Sequence, residues 1–410
     1  MKIAVVHEWF VDYFGSERVV EQILQCYPEA DLFAVVDFLK DDERGFLLNK
    51  HAKTTFVQKM PFARKHFRQY LPLMPMAIEL LDLSSYDLII SSSHAVAKGV
   101  ITGPNQVHVS YVHSPMRYAW DLQHLYLSQA GLKTGLKGWM VKWMLHKLRI
   151  WDTRSANGVD QFLSNSHYVA RRIEKTYRRE AKVIFPPADI EAFPMCEDKE
   201  DFYLTASRMV QYKRVDLIIE AFAAMKDKRL IVIGDGPDFE MMKSKVTSNI
   251  TLLGYQPFNQ LRDYMQRAKA FIFASEEDLG LTPIEAQACG TPVIAYGRGG
   301  ALETVIGLPT EPTLISPRSH HANREQSSPG PTGIFFEEQS AASIIDAVHR
   351  FETAYPLFSA RECRANAQRF SPERFRQKLM EAVSEACTRF DMAATRHSSL
   401  RMLQESRVTQ

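Results

Sequence analysis

Two carboxylates, Glu277 and Glu285, bracket a short glycine-containing turn in the run EEDLGLTPIEAQACGTPVIAYGRGG, residues 276–300. The preceding stretch AKAFIFAS (268–275) is apolar and rich in β-formers, as a buried parallel strand requires. After the turn, Thr282 is expected to supply an N-cap hydroxyl and Pro283 to open a helix that carries Glu285 one turn in. The backbone N–H groups of Gly280, Leu281 and Thr282 then point out of a helix N-terminus, a natural seat for an anion. One carboxylate stands on each side of that seat. A diphosphate bound there has an acidic hydrogen-bond acceptor near each of its two substituents, and a nucleotide sugar is a diphosphate with a polyol on each side. The plainer reading of either glutamate is a first-turn charge favouring the helix dipole, worth about 0.3–1 kcal/mol.

The elements that must position this segment alternate along the chain. In the first half, KIAVVH (2–7), DLFAVV (31–36), YDLIISSS (86–93), VHVSYVH (107–113) and VDQFLSNS (159–166) read as strands, with helical patterns at 16–27, 137–154 and 167–177. A second series follows: strands at 201–207, 229–234, 250–254, 268–275, 291–296 and 333–338, with helices at 213–225, 238–247 and 258–268. Strands separated by helices predict parallel, doubly wound sheets. The fold class is therefore α/β, two Rossmann-like domains facing across a cleft, with the functional site expected in that cleft. The Pro186–Pro187 pair breaks strand and helix alike and sets the boundary, giving an N-terminal domain over 1–187 and a C-terminal one over 188–369. Residues 308–332, rich in Pro, Ser and His without periodicity, are expected to form a disordered insertion. A helix over 370–390 is expected to cross back to the N-terminal domain, with 391–410 a disordered tail.

Bulk properties narrow the class. At 410 residues the chain exceeds one comfortable core, and 45% hydrophobic with 24% charged residues is ordinary for a globular protein. No apolar run approaches the roughly 20 residues that span a bilayer, and the start MKIAVVHEWF reads as a strand without a signal peptide, so a cytoplasmic protein is expected. Five scattered cysteines without CxxC spacing argue for free thiols and against a zinc site. The net charge of +2 conceals an asymmetry: residues 1–187 hold 24 Lys/Arg against 18 Asp/Glu, and 12 of those cations lie in 133–182. Such a bias suits an anionic partner.

Several runs closely resemble family 4 retaining glycosyltransferases of the GT-B fold: SRMVQYKR (207–214), IGDGP (233–237), LLGYQP (252–257) and EEDLGLTPIEAQACGTPVIA (276–295). In the first half FGSERVVE (14–21), SSSHAVAKGV (91–100), HSPMRYAWD (113–121) and NSHYVARRI (165–173) resemble the bacterial O-antigen and exopolysaccharide mannosyltransferase branch. The resemblance implies a metal-independent enzyme without a cofactor, moving a hexose, mannose from GDP-mannose, onto a lipid-linked oligosaccharide in cell-surface polysaccharide synthesis. The alternatives are a UDP-sugar-dependent glucosyl or N-acetylglucosaminyl transferase, an epimerase on the same fold, and a non-catalytic sugar-nucleotide-binding scaffold.

The resemblance also implies roles. Arg208 and Lys213 neutralise the donor diphosphate, Glu285 binds ribose hydroxyls, and Glu277 binds a hydroxyl of the donor sugar. Gly280, Leu281 and Thr282 offer phosphate contacts, and Gly236 lies near the nucleotide. A dinucleotide-binding GxGxxG reading of IGDGP fails because position 239 is Phe. Gly15 lets backbone approach the phosphates or acceptor, although the family's paired glycines are Phe14–Gly15 here. His113 is implied to hydrogen-bond the donor sugar. His94 and Lys98 are placed on the same rim, and Arg117, Tyr118 and Trp120 suit an acceptor sugar or pyrophosphate, or else pack internally. The run KGWMVKWMLHKLRIW (137–151) mixes three tryptophans with cations, and ARKHFRQYLPLMPM (63–76) has similar chemistry. Both suit the anionic inner face of a membrane, with a buried core helix as the rival reading. No nucleic-acid motif accompanies the basic stripes.

Overall fold

The computed structural model describes residues 1–308 and 330–408. The chain divides into two compact units, Met1–Pro187 together with Pro372–Gln410, and Ala188–Ser371. The break falls directly after the Pro186–Pro187 pair.

Unit 1 is built on a seven-stranded parallel sheet: β1 (Ile3–Phe10), β2 (Asp31–Asp37), β3 (Lys53–Thr54), β4 (Leu88–Ser93), β5 (Val107–Val112), β6 (Gln161–Ser164) and β7 (Ala181–Val183). Their spatial order is β3-β2-β1-β4-β5-β6-β7, so the winding reverses between β1 and β4. Helices cover both faces, so β4 and β5 are buried along their whole length. The polar residues there satisfy one another: the Ser91 hydroxyl lies 2.8 Å from both His108 Nε2 and Ser110 Oγ. Period-two alternation puts Val5, Ile90 and Tyr111 in one core and Ala4, Val6 and Ile89 in the other.

The helix Pro372–Val408 returns to unit 1 through Phe375, Leu379, Ala382, Val383 and Ala386, a single apolar stripe at helical spacing. It runs past residue 390, where a disordered tail was expected. From 388 to 408 the sequence has no Pro or Gly and is rich in helix formers, so nothing breaks the backbone pattern.

Unit 2 carries a six-stranded parallel sheet: β8 (Tyr203–Ala206), β9 (Leu230–Ile233), β10 (Ile250–Gly254), β11 (Ala270–Phe273), β12 (Val293–Tyr296) and β13 (Gly333–Phe336). The order is β10-β9-β8-β11-β12-β13, with the reversal between β8 and β11. In such sheets ligands bind beyond the carboxyl ends of the strands at the reversal. Of the expected insertion 308–332, the last residues belong to the fold: Thr332 is buried and its N–H bonds Ile306 O at 2.8 Å. Residues 309–329 lie outside the described residues.

Candidate functional site

Beyond the carboxyl ends of β8, β9 and β10 lies a cavity of about 710 Å³, within the range of small-molecule sites. Its lining includes Arg208, Gly234, Gly236, Tyr255, Thr282 and Glu285. Residues separated by more than 70 positions thus meet at one opening, and Arg208, Gly236, Thr282 and Glu285 are all residues the sequence had singled out. Arg208 follows β8, lines the cavity and is exposed. Gly236 has φ +158°, and a Cβ there meets Met209 O at 2.4 Å, so the turn after β9 admits no side chain.

The helix opposite Arg208 is Leu281–Ala288. Its N-cap is Gly280 at φ +84°, not the Thr282 expected from the sequence. A β-carbon at Gly280 meets the Phe273 ring at 2.9 Å, which is why glycine stands at the sharp exit from β11. Thr282 and Pro283 fall inside the first turn, where the missing proline N–H has no intrahelical partner to lose. The amides of Leu281 and Thr282 remain as first-turn donors beside the cavity.

Lys213 and Glu277 are brought together. The Lys213 ammonium bonds Glu277 Oε1, and the Ser275 hydroxyl donates to the same oxygen at 2.6 Å. Both side chains of the ion pair are largely shielded, at 14% and 19% exposure. The glutamate holds the lysine in place, and its Oε2 has no hydrogen-bond partner among the described residues. This pairing of residues 64 positions apart was not foreseen.

In unit 1 the carboxyl ends of β1, β4 and β5 gather a histidine cluster. His113 follows β5 and its Nε2 lies 2.8 Å from Ser92 Oγ. The His94 ring stands 6.1 Å from those of both His113 and His7. Burial, then the neighbouring His94 and His7, push His113 well below the usual imidazole range. His94 is lowered by burial too, against the opposing pull of Glu8.

Glu8 is buried, and its carboxylate accepts from the Ser93 hydroxyl and from the N–H groups of His94, Ala95, Val96 and Ala97 at 2.7–3.1 Å. Burial raises this carboxyl, but His94 and the backbone amides outweigh it and the net shift is downward. The amide nest after β4 is therefore filled by the chain itself. Sequence reasoning missed Glu8 and its neighbour His7. The signal was there: two adjacent ionisable residues near the carboxyl end of a strand that is otherwise apolar.

Other expected contacts resolve differently. Gly15 opens the helix Gly15–Cys26, and the Glu17 carboxylate reaches back to the Phe14 N–H at 3.0 Å. Lys98 is not on a rim. It is 1% exposed, and its ammonium bonds Asp152 Oδ1 at 2.6 Å, Asp152 O at 3.1 Å and Ser155 Oγ at 2.9 Å. Trp120 Nε1 donates to Asp152 Oδ2 at 2.7 Å, so this indole is also committed internally. The correction for Lys98 and the internal packing of Trp120 have one cause: Asp152, buried on the helix Gly135–Ser155, needs donors around it. Arg117 and Tyr118 are half-buried nearby, and burial raises the Tyr118 phenol. The helix Gly135–Ser155 presents Leu136, Trp139, Met140 and Trp143 to solvent at spacings of three and four, with Lys133, Lys137, Lys142 and Lys147 exposed beside them. In 63–76, Phe67 and Met74 are core, while Leu73 and Met76 are exposed.

Comparison with known proteins fits this geometry. Residues 15–192 match the model of Glycosyltransferase Family 4, and residues 188–308 match that of Glycosyl transferases group 1. Together these matches support a glycosyltransferase of group 1. An uncharacterized glycosyltransferase of Methanocaldococcus jannaschii is 29% identical over 152 residues, 36% of this chain and 43% of that protein. A GDP-mannose-dependent monoacylated alpha-(1-6)-phosphatidylinositol monomannoside mannosyltransferase of Corynebacterium glutamicum is 33% identical over 114 residues, 24% of this chain and 30% of that one. The chain thus aligns with less than half the length of these curated relatives. In fold, Anabaena HepE in complex with UDP is similar with a TM-score of 0.64 at 16% identity, covering 94% of this chain and all of that one. The architecture is GT-B, with two Rossmann-like domains.

Proposed function

We propose that this protein is a retaining glycosyltransferase that moves a hexose, mannose from GDP-mannose, onto a lipid-linked oligosaccharide. The observation that carries the reading is the unit 2 cavity, whose lining brings together Arg208, a side-chain-free turn at Gly236, Thr282 and Glu285. A nucleoside diphosphate needs a cation and amides for its phosphates and an acceptor for its ribose hydroxyls, and these groups supply each. GDP-mannose and a lipid-borne saccharide are favoured by the name of the corynebacterial relative. A UDP-sugar is the second reading, favoured by the Anabaena complex with UDP.

The chemistry follows from charge. As the C1–O bond to phosphate breaks, negative charge grows on the diphosphate, where Arg208, Lys213 and the amides at Gly280–Thr282 stabilise it. Glu277 Oε2 accepts from a hydroxyl of the departing sugar while Oε1 keeps Lys213 aimed. The acceptor oxygen bonds C1 on the face the phosphate leaves, and its proton passes to a phosphate oxygen. This route retains configuration and asks for no divalent ion or cofactor. His113 is our unit 1 candidate for a hydrogen bond to the sugar, and His94, Arg117 and Tyr118 are the candidates for the acceptor.

Among the described residues no helix is long and apolar enough to cross a membrane. The exposed apolar face of Leu136, Trp139, Met140 and Trp143, rimmed by lysines, suits peripheral contact with anionic lipid on the cytoplasmic side, where a lipid-linked acceptor is presented. The test is incubation of labelled GDP-mannose with lipid pyrophosphate-linked saccharides in EDTA, with product configuration read by NMR. An α-linked mannosyl lipid is expected. A β-linked product refutes retention, and sugar conversion without acceptor marks an epimerase. Binding without turnover across donors and acceptors marks a scaffold.

A further inference from the structure

Behind His113 lies a buried chain of polar groups that glycosyl transfer does not itself require. His7 on β1 and Ser92 on β4 are register partners, and both are fully buried. The helix Gly15–Cys26 brings Glu17 over the same face. His7 Nε2 lies 3.3 Å from Glu17 Oε1, and His7 Nδ1 lies 3.2 Å from Ser92 O and 3.1 Å from Ser92 Oγ. Ser92 Oγ is in turn 2.8 Å from His113 Nε2.

The chemistry of these partners allows two arrangements of the hydrogens, which differ in the charge on His7. A backbone carbonyl and a carboxylate can only accept, so a His7 ring that satisfies both carries a proton on each nitrogen. Ser92 Oγ then receives from His7 Nδ1–H and has its own hydrogen to give. The remaining neighbour is His113 Nε2, which must accept it. Burial keeps a second proton off the His113 ring, so its single proton sits on Nδ1. With neutral His7 the pattern runs the other way: Ser92 donates to His7 Nδ1 and His113 carries its proton on Nε2. Glu17 accepts from His7 Nε2–H in both, and its buried negative charge is what favours the first. Its carboxyl is held down to about 2 because the bond and charge of His7, with the Phe14 amide, outweigh the upward push of burial.

We propose that Glu17, His7 and Ser92 are positioning residues that fix the tautomer of His113, so that Nδ1–H is the donor offered at the site. Among the described residues the His113 ring has no hydrogen-bond partner besides Ser92, which leaves Nδ1 to a ligand. Its bearing on sugar transfer rests on the function proposed above, while the tautomer itself does not.

The experiment is nitrogen NMR of the full chain labelled at its 13 histidines, with His113→Gln to assign the resonance. The expected wild-type result is a pyrrole-type, protonated Nδ1 and a pyridine-type Nε2 on His113. In Ser92→Ala the fixed signature is lost, and Ser92→Thr, which keeps the hydroxyl, restores it. In turnover assays Ser92→Ala lowers kcat/KM by about tenfold, the worth of one hydrogen bond, and the threonine variant recovers it. A wild-type His113 protonated on Nε2, or a tautomer indifferent to Ser92→Ala, overturns the relay and needs no activity to be seen. The expected tautomer in a protein without turnover leaves the relay standing and defeats the transferase reading instead. Equal kcat/KM in wild type and Ser92→Ala overturns the catalytic role.

Discussion

Lys98→Met is the substitution whose outcome best separates a buried scaffold lysine from a surface ligand. The ammonium makes three bonds inside unit 1, to both a carboxylate oxygen and the carbonyl of Asp152 and to Ser155. Methionine follows the aliphatic stem and opens little space, so the loss is electrostatic. Asp152 keeps donors from Trp120 and from Tyr177, whose hydroxyl lies 3.0 Å away, yet its charge loses the only cation bonded to it among the described residues. Removing one partner of such a pair costs about 3–5 kcal/mol. All five tryptophans lie between Trp9 and Trp151, so indole fluorescence reports unit 1 and is silent on unit 2. Urea unfolding followed at neutral pH by that signal is expected to show the full loss for Lys98→Met. The exposed control Lys137→Met is expected to change stability by less than about 0.5 kcal/mol. A Lys98→Met loss below about 1 kcal/mol refutes the reasoning and returns Lys98 to the list of ligand contacts.

Gly236→Ala strains the turn after β9 against Met209 O, at a cost of about 1–3 kcal/mol, and calorimetry should show nucleotide affinity falling tenfold or more. Burial holds His108 down to about 4, from an ordinary value of 6.5. The unfolded chain therefore takes up this proton first, so the contribution of His108 is complete above pH 6.5 and is lost as pH falls towards 4, by at most about 3 kcal/mol. Denaturant melts across that window should steepen accordingly, and His108→Gln should flatten the slope. Trp139→Ser with Trp143→Ser is expected to abolish sedimentation with anionic vesicles while leaving neutral-vesicle controls unchanged, and undiminished sedimentation removes the membrane face.

What the sequence disclosed, and what it hid, divides by the range of the interaction. Strands such as Ile250–Gly254 and helices such as His167–Tyr177 follow from local periodicity and are placed to the residue. The edge strands Lys53–Thr54 and Ala181–Val183 escaped notice because two or three residues carry no period. At the unit 2 cavity, Arg208, Gly236, Thr282 and Glu285 stood out through a resemblance whose motifs lie on loops, where residue type is dictated by geometry rather than packing. The Lys213–Glu277 pair, the Lys98–Asp152 pair and the Glu17–His7–Ser92 chain join residues from separate elements, and only the sheet order brings them together. Lys98 was misplaced, and the choice between ligand and packing for Trp120 left open, for that reason: their partner Asp152 sits in a helix whose aromatic, cationic composition points outward.

The central claim is that unit 2 grips a nucleoside diphosphate with Arg208, Glu285 and the helix N-terminus. Calorimetric titration in EDTA with GDP, GDP-mannose, UDP and UDP-glucose addresses it directly. One-site binding of a nucleoside diphosphate is predicted, weakened about ten- to a hundredfold by Arg208→Ala, the range for a charge-assisted bond to phosphate. Binding that is absent for all four, or equally tight in Arg208→Ala, contradicts it.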